Sequence, residues 1–268
     1  MFKGVYVDAS AADTQALRLQ ALKLVVKESS IVVDGTATWF FAGDRALAPG
    51  EHRELLPPRV FDDRRGCRMR RRGVDSGTRD MRDEDVIEID GLRVTTALRT
   101  ATDVARLQRP QRALASLDSL LAAGAVDQQE LIETLERFRG FRHVVRARSL
   151  VRWADGRSES YGESAVRYVW RMIPGLPTPQ LQVEVRVGGH VFRLDLADED
   201  LKLAFEYDGR EFHGPDRAEH DMWRRGLVAG EDWAVNVLRD ENVFGRQANV
   251  EGVLSRAFRE RRRERRGV

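Results

Sequence analysis

The stretch Val191-Phe192-Arg193-Leu194-Asp195-Leu196-Ala197, continued by Asp198-Glu199-Asp200-Leu201-Lys202 and then Leu203-Ala204-Phe205-Glu206-Tyr207-Asp208, decides the fold of the second half of this chain. Two apolar runs of strand length flank an acidic loop, so they read as an antiparallel hairpin. A hairpin centred between Asp200 and Leu201 sets Asp195 directly opposite Glu206, since both are equidistant from that centre. Opposed residues lie about 4.5–5.5 Å apart at Cβ and share a face. Side chains repeat every two residues, so Asp208 joins that face and Tyr207 points away. Carboxylates gathered in this way repel unless something positive sits between them. A hard divalent cation, Mg²⁺ (or Mn²⁺), is the usual answer, held by one or two carboxylates with waters and substrate phosphates. The competing reading is a solvated strand face opposite a buried one. Against it, Asp195 sits among Phe192, Leu194, Leu196 and Ala197, and Glu206 follows Leu203-Ala204-Phe205.

Outward from the hairpin, Leu181–Val187 alternates Val183, Val185 and Val187 with Gln182, Glu184 and Arg186, and Gly188-Gly189 supplies a tight turn into the next strand. Ser160–Met172 reads as a helix with Tyr161, Ala165, Tyr168, Val169 and Met172 on one face, stopped by Pro174, Pro177 and Pro179. A helix from about Asp216 to Ala229, a strand at Trp233–Leu238 and a final helix at Val250–Arg265 complete the order helix, three strands, helix, strand, helix. Asp155-Gly156-Arg157-Ser158 is the linker candidate, which divides the chain into domains of residues 1–155 and 156–268.

The first half is richer in helix. Gly4-Val5-Tyr6-Val7 reads as a short strand, Ala11–Glu28 as an amphipathic helix with Ser10 as N-cap, and Leu92-Arg93-Val94 as a strand. The apolar Ile31–Val33 and Trp39-Phe40-Phe41 are expected to pack against the first helix. Thr95 or Thr96 caps a helix at Ala97–Arg106, Pro110 opens another that runs to Ala122, and Gln128–Arg148 holds one or two more, interrupted at Gly140.

The chain has 268 residues, 42% hydrophobic and 33% charged, a soluble globular composition. Net charge is only +2, but its distribution is uneven. Arg64–Arg82 carries eight arginines (64, 65, 68, 70, 71, 72, 79 and 82) against Asp75 and Asp80, and the tail from Arg256 carries seven against Glu260 and Glu264. Lysines are four, so nearly all positive charge is guanidinium, whose planar fork suits phosphate. Arg68, Arg70, Arg71 and Arg72 are thus candidate phosphate contacts, with a solvated basic face as the alternative. The single Cys67 excludes an intrachain disulfide and a multi-thiolate zinc site. The N-terminal Met1-Phe2-Lys3-Gly4-Val5 has no signal-peptide hydrophobic region. No apolar run approaches the roughly 18 residues of a membrane span, so a cytoplasmic location without membrane partners is expected.

Ser160-Tyr161-Gly162-Glu163, Arg193-Leu194-Asp195-Leu196-Ala197 and Ala204-Phe205-Glu206-Tyr207-Asp208-Gly209-Arg210-Glu211-Phe212-His213 resemble the motifs of a bacterial family similar to the very-short-patch-repair (Vsr) endonucleases, within the PD-(D/E)xK nuclease fold. Asp221, Arg224-Arg225, Gly230 to Trp233 and Val235–Arg239 extend the likeness over about residues 157–245. The resemblance implies an α/β, restriction-endonuclease-like mixed sheet flanked by helices. It also implies Asp195 and Glu206 as metal ligands, with Glu163 or Asp208 binding metal or orienting water. His213 would be a general base or a donor to the scissile phosphate. Asp221 would orient His213 or Arg224, and Arg210, Arg224 and Arg225 would hold neighbouring phosphates. Many enzymes of this fold place lysine where Asp208 stands.

In the first half, Gly91-Leu-Arg-Val-Thr-Thr-Ala-Leu-Arg-Thr-Ala-Thr-Asp-Val-Ala-Arg106 and Ala113-Leu-Ala-Ser-Leu-Asp118 resemble the body of AbiEi-type antitoxin proteins of type IV toxin–antitoxin systems. Such proteins usually begin with a DNA-binding winged helix, of which residues 4–7 would be only the last strand. The resemblance implies an α+β, helix-rich scaffold that contacts DNA. Together the two likenesses imply an Mg²⁺- or Mn²⁺-dependent DNA endonuclease or nickase in repair or defence against foreign DNA. The alternative is a non-catalytic DNA-binding transcriptional regulator or antitoxin that retains a nuclease fold. Expected partners are DNA, a second copy in a homodimer, and a toxin-like or repair protein.

Overall fold

The structure, a computed structural model, describes residues 4–12, 14–51, 53, 56–63, 68–209 and 215–267, with the backbone alone for residues 15 and 215–221. Contacts within the chain divide it into two compact units, residues 1–156 and 157–268. Both pair a mixed sheet with helices, as the α/β expectation required.

In the first unit, the sequence Asp90-Gly91 adopts φ of 50° and 73°, the left-handed pair that a two-residue hairpin turn needs. It joins strands β4 (Val86–Ile89) and β5 (Leu92–Thr95), with Ile89 opposite Leu92. The five-stranded sheet adds β1 (Ile31–Val32), β2 (Arg59–Asp63) and β3 (Asp75–Arg79), in the order β3-β2-β1-β5-β4. β1 runs parallel to β5 and β2 parallel to β3, while β1–β2 and β4–β5 are antiparallel. Helix α1 is Gln15–Lys23 and α2 is Asp34–Ala42. α3 (Ala97–Leu107) starts at Thr96, whose hydroxyl accepts the Arg99 N–H, and α4 is Pro110–Ala122. α5 (Gln128–Thr134) is capped by Asp127, and after a 3₁₀ turn at Leu135–Phe138 the chain enters α6 (Val144–Trp153).

Two expectations fail here. Residues 4–7 form no strand, and α1 begins at Gln15 with Thr14 as its cap. Ser10 does not cap it, because both its N–H and its hydroxyl donate to Asp8 Oδ1 (2.8 and 2.6 Å), closing a local turn instead.

A buried ionic lattice ties sheet to helices in this unit. Asp34 is wholly buried and accepts from Arg79 Nη1 and Nη2 at 2.7 and 3.0 Å, with Arg59 Nη1 at 3.0 Å. Asp103 on α3 takes Arg79 at 2.9 Å, Arg99 at 2.8 Å and Arg106 at 3.3 Å. Asp85 takes Arg99 and both forks of Arg137 at 2.5–2.6 Å. Arg79 therefore belongs to the interior, and the basic run Arg64–Arg82 is not one surface.

In the second unit, α7 (Tyr161–Met172) begins at Ser160, whose hydroxyl accepts the Glu163 N–H. Its buried face carries Ala165, Val166 and Trp170, whereas Met172 is exposed. Tyr161, Ala165 and Val169 of the face drawn from the sequence do pack on the core, while Trp170 takes the place expected for Met172, anchored by its indole N–H to the Pro177 carbonyl at 2.8 Å. Strands β6 (Gln180–Val187), β7 (His190–Asp198), β8 (Leu203–Asp208) and β9 (Ala234–Arg239) pair in sequence order, with β8–β9 parallel and the other pairs antiparallel. α8 (Pro215–Gly230) makes the crossover, followed by α9 (Asp240–Val243) and α10 (Val250–Arg266). One core joins Trp170, Leu196, Phe205, Leu254 and Phe258; the other joins Val183, Val185, Phe192, Leu194, Ala204 and Val228. Helices thus cover both faces of the sheet, as mixed and parallel sheets require.

Candidate functional site

Strict alternation breaks at Asp195. Leu196 packs with Phe205 and Leu181, yet Leu194, two residues earlier, packs with Ala204 and Val183 in the other core. The pairing Leu181↔Leu196 and Val183↔Leu194 skips Gln182 and Asp195, and Gln182 has φ of 53°. A left-handed residue inside a strand turns the ladder locally, and such strained positions gather at functional sites. On its other side Asp195 Oδ2 accepts the Tyr207 N–H at 2.9 Å, where the β7–β8 ladder would otherwise continue. The β7–β8 ladder ends at Leu196↔Phe205; extending that register sets Asp195 opposite Glu206.

Three acids approach one another around this break. Glu163 is buried in the first turn of α7, where its Oε2 accepts the Glu159 N–H at 2.8 Å and the Gln182 amide at 3.4 Å. Glu206 on β8 is 9% exposed, and its Oε1 receives Arg224 Nη2 of α8 at 2.6 Å. The same Arg224 nitrogen donates to the Arg193 carbonyl at 2.7 Å. Burial pushes the Asp195 carboxyl up to about 7; the charges of Glu163 and Glu206 add to this, while the Tyr207 N–H and Arg224 oppose it. Gln182 and Arg224 thus complete the cluster. Gln182 was missed because an amide in an alternating strand carries no signal. Arg224, expected as a phosphate contact, is 27% exposed at its side chain and donates to the Glu206 carboxylate and the Arg193 carbonyl.

Asp208 stands at the end of β8. It lies opposite Arg239 of β9, whose Nε is 4.0 Å from Asp208 Oδ2. Arg225 is partly exposed on α8. Arg210 and His213 lie outside the described residues, as do Arg64, Arg65 and Cys67, and so does the side chain of Asp221.

Among the described residues no group of three or more His, Cys, Asp or Glu side chains is arranged to hold a metal ion. Arg224 places a positive charge beside Glu206, its Nη2 2.6 Å from Oε1. What the cluster offers chemically is an internal acid–guanidinium network with one carboxyl that titrates near neutrality.

In the first unit, Arg68, Arg70, Arg71 and Arg72 are all exposed. Met69 between them is buried, and its N–H donates to Asp62 Oδ2 at 3.1 Å while its carbonyl accepts the Ser76 hydroxyl. That pinned, inward Met69 turns its two arginine neighbours outward.

Comparison with known proteins defines the class. Residues 30–153 match the family model of the AbiEi antitoxin C-terminal domain. Two proteins of Mycobacterium tuberculosis, uncharacterized protein MT2308 (strain CDC 1551 / Oshkosh) and uncharacterized protein Rv2248 (strain ATCC 25618 / H37Rv), are each 32% identical over 228 residues, 81% of this chain and 77% of theirs. The chain belongs to the same family as these two proteins, and residues 30–153 of its first unit are similar to the antitoxin domain. No solved structure matches the chain.

The antitoxin match overturns the expected Mg²⁺- or Mn²⁺-dependent endodeoxyribonuclease, since an antitoxin domain points to a non-enzymatic antitoxin or regulator. The comparisons do not confirm the Vsr likeness of residues 157–245. Among the described residues no helix is long and apolar enough to cross a membrane.

Proposed function

We propose that this chain is a non-catalytic, DNA-binding regulator of the antitoxin kind, whose second unit keeps a nuclease-like sheet for binding alone. The observation that carries this reading is the antitoxin domain at residues 30–153. The ion pair of Arg224 with Glu206 supports it, because a guanidinium bonded to a candidate ligand disfavours a divalent cation there. A toxin is the protein partner such a domain implies, and exposed arginines suit a phosphate backbone.

The test incubates purified protein with plasmid and with mismatched or single-stranded oligonucleotides, in Mg²⁺, Mn²⁺ or EDTA. The expected outcome is a retarded but uncut band under all three conditions. In parallel, the chain should repress a reporter driven by the promoter of its own gene. Metal-dependent cutting that Glu206→Gln abolishes would sink the reading.

A further inference from the structure

Between the end of α1 and the segment 68–71 lies a cleft of about 670 Å³, within the size range of ligand sites. Its floor is apolar, with Val25 and Met69, and its rim carries Lys27, Arg68, Arg70 and Arg71. No carboxylate is among its described lining residues. Several arginines elsewhere in this unit are neutralised: Arg59, Arg79, Arg99, Arg106, Arg112 and Arg137 each meet an acid. Among the described residues the four rim cations meet none. Arg71 Nη1 donates to the Leu24 carbonyl at 3.1 Å, and Arg68 Nε reaches the Ser76 hydroxyl at 3.4 Å.

The segment is held in this arrangement from beneath. Met69 is locked by Asp62 and Ser76, so Arg68 and Arg70 cannot fold back into the core, and Arg71 is tethered to the end of α1. Four like charges held around one concavity repel one another, and an anion placed among them relieves that repulsion. One monovalent anion would leave most of the charge unbalanced. Fork-shaped guanidinium donors match phosphate oxygens, while the apolar floor accepts a sugar or base edge.

We propose that this cleft is a phosphate-binding site for a ligand with two or more phosphate groups, either successive phosphates of a nucleic-acid backbone or a nucleoside diphosphate. In its nucleic-acid form the site rests on the DNA-binding reading; in its nucleotide form it does not.

The experiment uses the full chain and two probes: a short labelled duplex, followed by fluorescence anisotropy across a salt series, and ADP, followed by calorimetry. The variants are Lys27→Gln with Arg70→Gln, and Arg139→Gln as an exposed control outside the cleft. Unchanged thermal melting establishes that the variants fold. If the backbone is the ligand, the double variant flattens the plot of log K against log salt by roughly 0.9 per lost phosphate contact, and affinity falls about tenfold or more at low salt. If a nucleotide is the ligand, ADP binding falls by a similar factor while duplex binding is unchanged. The control alters neither. Duplex binding that ignores the cleft substitutions, with no ADP bound, overturns the cleft and leaves the DNA reading standing. ADP binding that needs the cleft, with no duplex bound, does the reverse. Neither probe bound overturns both.

Discussion

At the scale of single residues, the two units are sensitive for different reasons. Asp103 is 1% exposed and bonded to three arginines, so Asp103→Ala takes from Arg106 its acid partner and leaves Arg79 and Arg99 with one acid each, Asp34 and Asp85. Removing one partner of a buried ionic group costs about 3–5 kcal/mol, which chemical denaturation should read as a lower midpoint. In the second unit, Gly162 faces the Tyr207 ring, and a Cβ added there would lie 2.1 Å from it. Gly162→Ala must therefore displace an aromatic ring whose hydroxyl is bonded to Asp240, at about 1–3 kcal/mol. A melting temperature equal to the parent's would contradict that close approach. Asp195 gives a pH signature. Its folded carboxyl is raised from 3.8 to about 7, so the native state binds the extra proton between those values and its stabilisation is lost as pH rises through about 7. Asp195→Asn keeps an acceptor for the Tyr207 N–H but removes the titration. The variant should flatten the stability profile between these two pH values and gain on the parent above the upper one; a profile parallel to the parent's would contradict the assignment.

At the scale of elements, local chemistry explains both what the sequence showed and what it hid. α4 runs Pro110–Ala122 and β8 Leu203–Asp208, as read from a proline start and an apolar run that ends in polar residues. Hairpin register was legible because the centre of an antiparallel pair fixes every partner by arithmetic, and Leu196↔Phe205 obeys it. The face of α7 was legible only in part, since Met172 and Trp170 are equally apolar and the Pro177 carbonyl that claims the indole is distant in pattern terms. Nor was the break at Gln182, because a left-handed glutamine within alternating valines leaves the alternation intact on paper. Of the candidate acids, Glu163, Asp195 and Glu206 were visible by type and spacing; that an arginine from α8 donates to Glu206 depends on tertiary packing alone. The start of α7 carries its own test. Ser160→Ala removes the acceptor for the Glu163 N–H, 3.1 Å away, and should cost about 1 kcal/mol, whereas Ser160→Asp should restore most of it. Equal loss in both variants would mean that the cap is not what sets the helix start.

At the scale of the whole molecule, each unit holds a core of its own: Leu22, Val32, Val60 and Val94 in the first, Trp170, Phe205 and Phe258 in the second. Residues 1–156 and 157–268, expressed separately, should each give a cooperative thermal transition and dispersed amide resonances. A separated unit that stays unfolded under native conditions would show that its core is not self-sufficient. The ionic lattice of the first unit has a further consequence, for heredity. Asp34, Asp85 and Asp103 are threaded by Arg59, Arg79, Arg99, Arg106 and Arg137, with Arg79 and Arg99 each reaching two acids. Loss of any one charge leaves a neighbour exposed to a harm that only a second change, of the opposite sign and at one particular partner, can repair. Across descendants of this chain these positions should change in matched pairs or not at all, so that an alignment deep enough to count them would show Asp34 covarying with Arg79 and Asp85 with Arg137, while the arginines at the rim of the cleft covary with no acid in the unit.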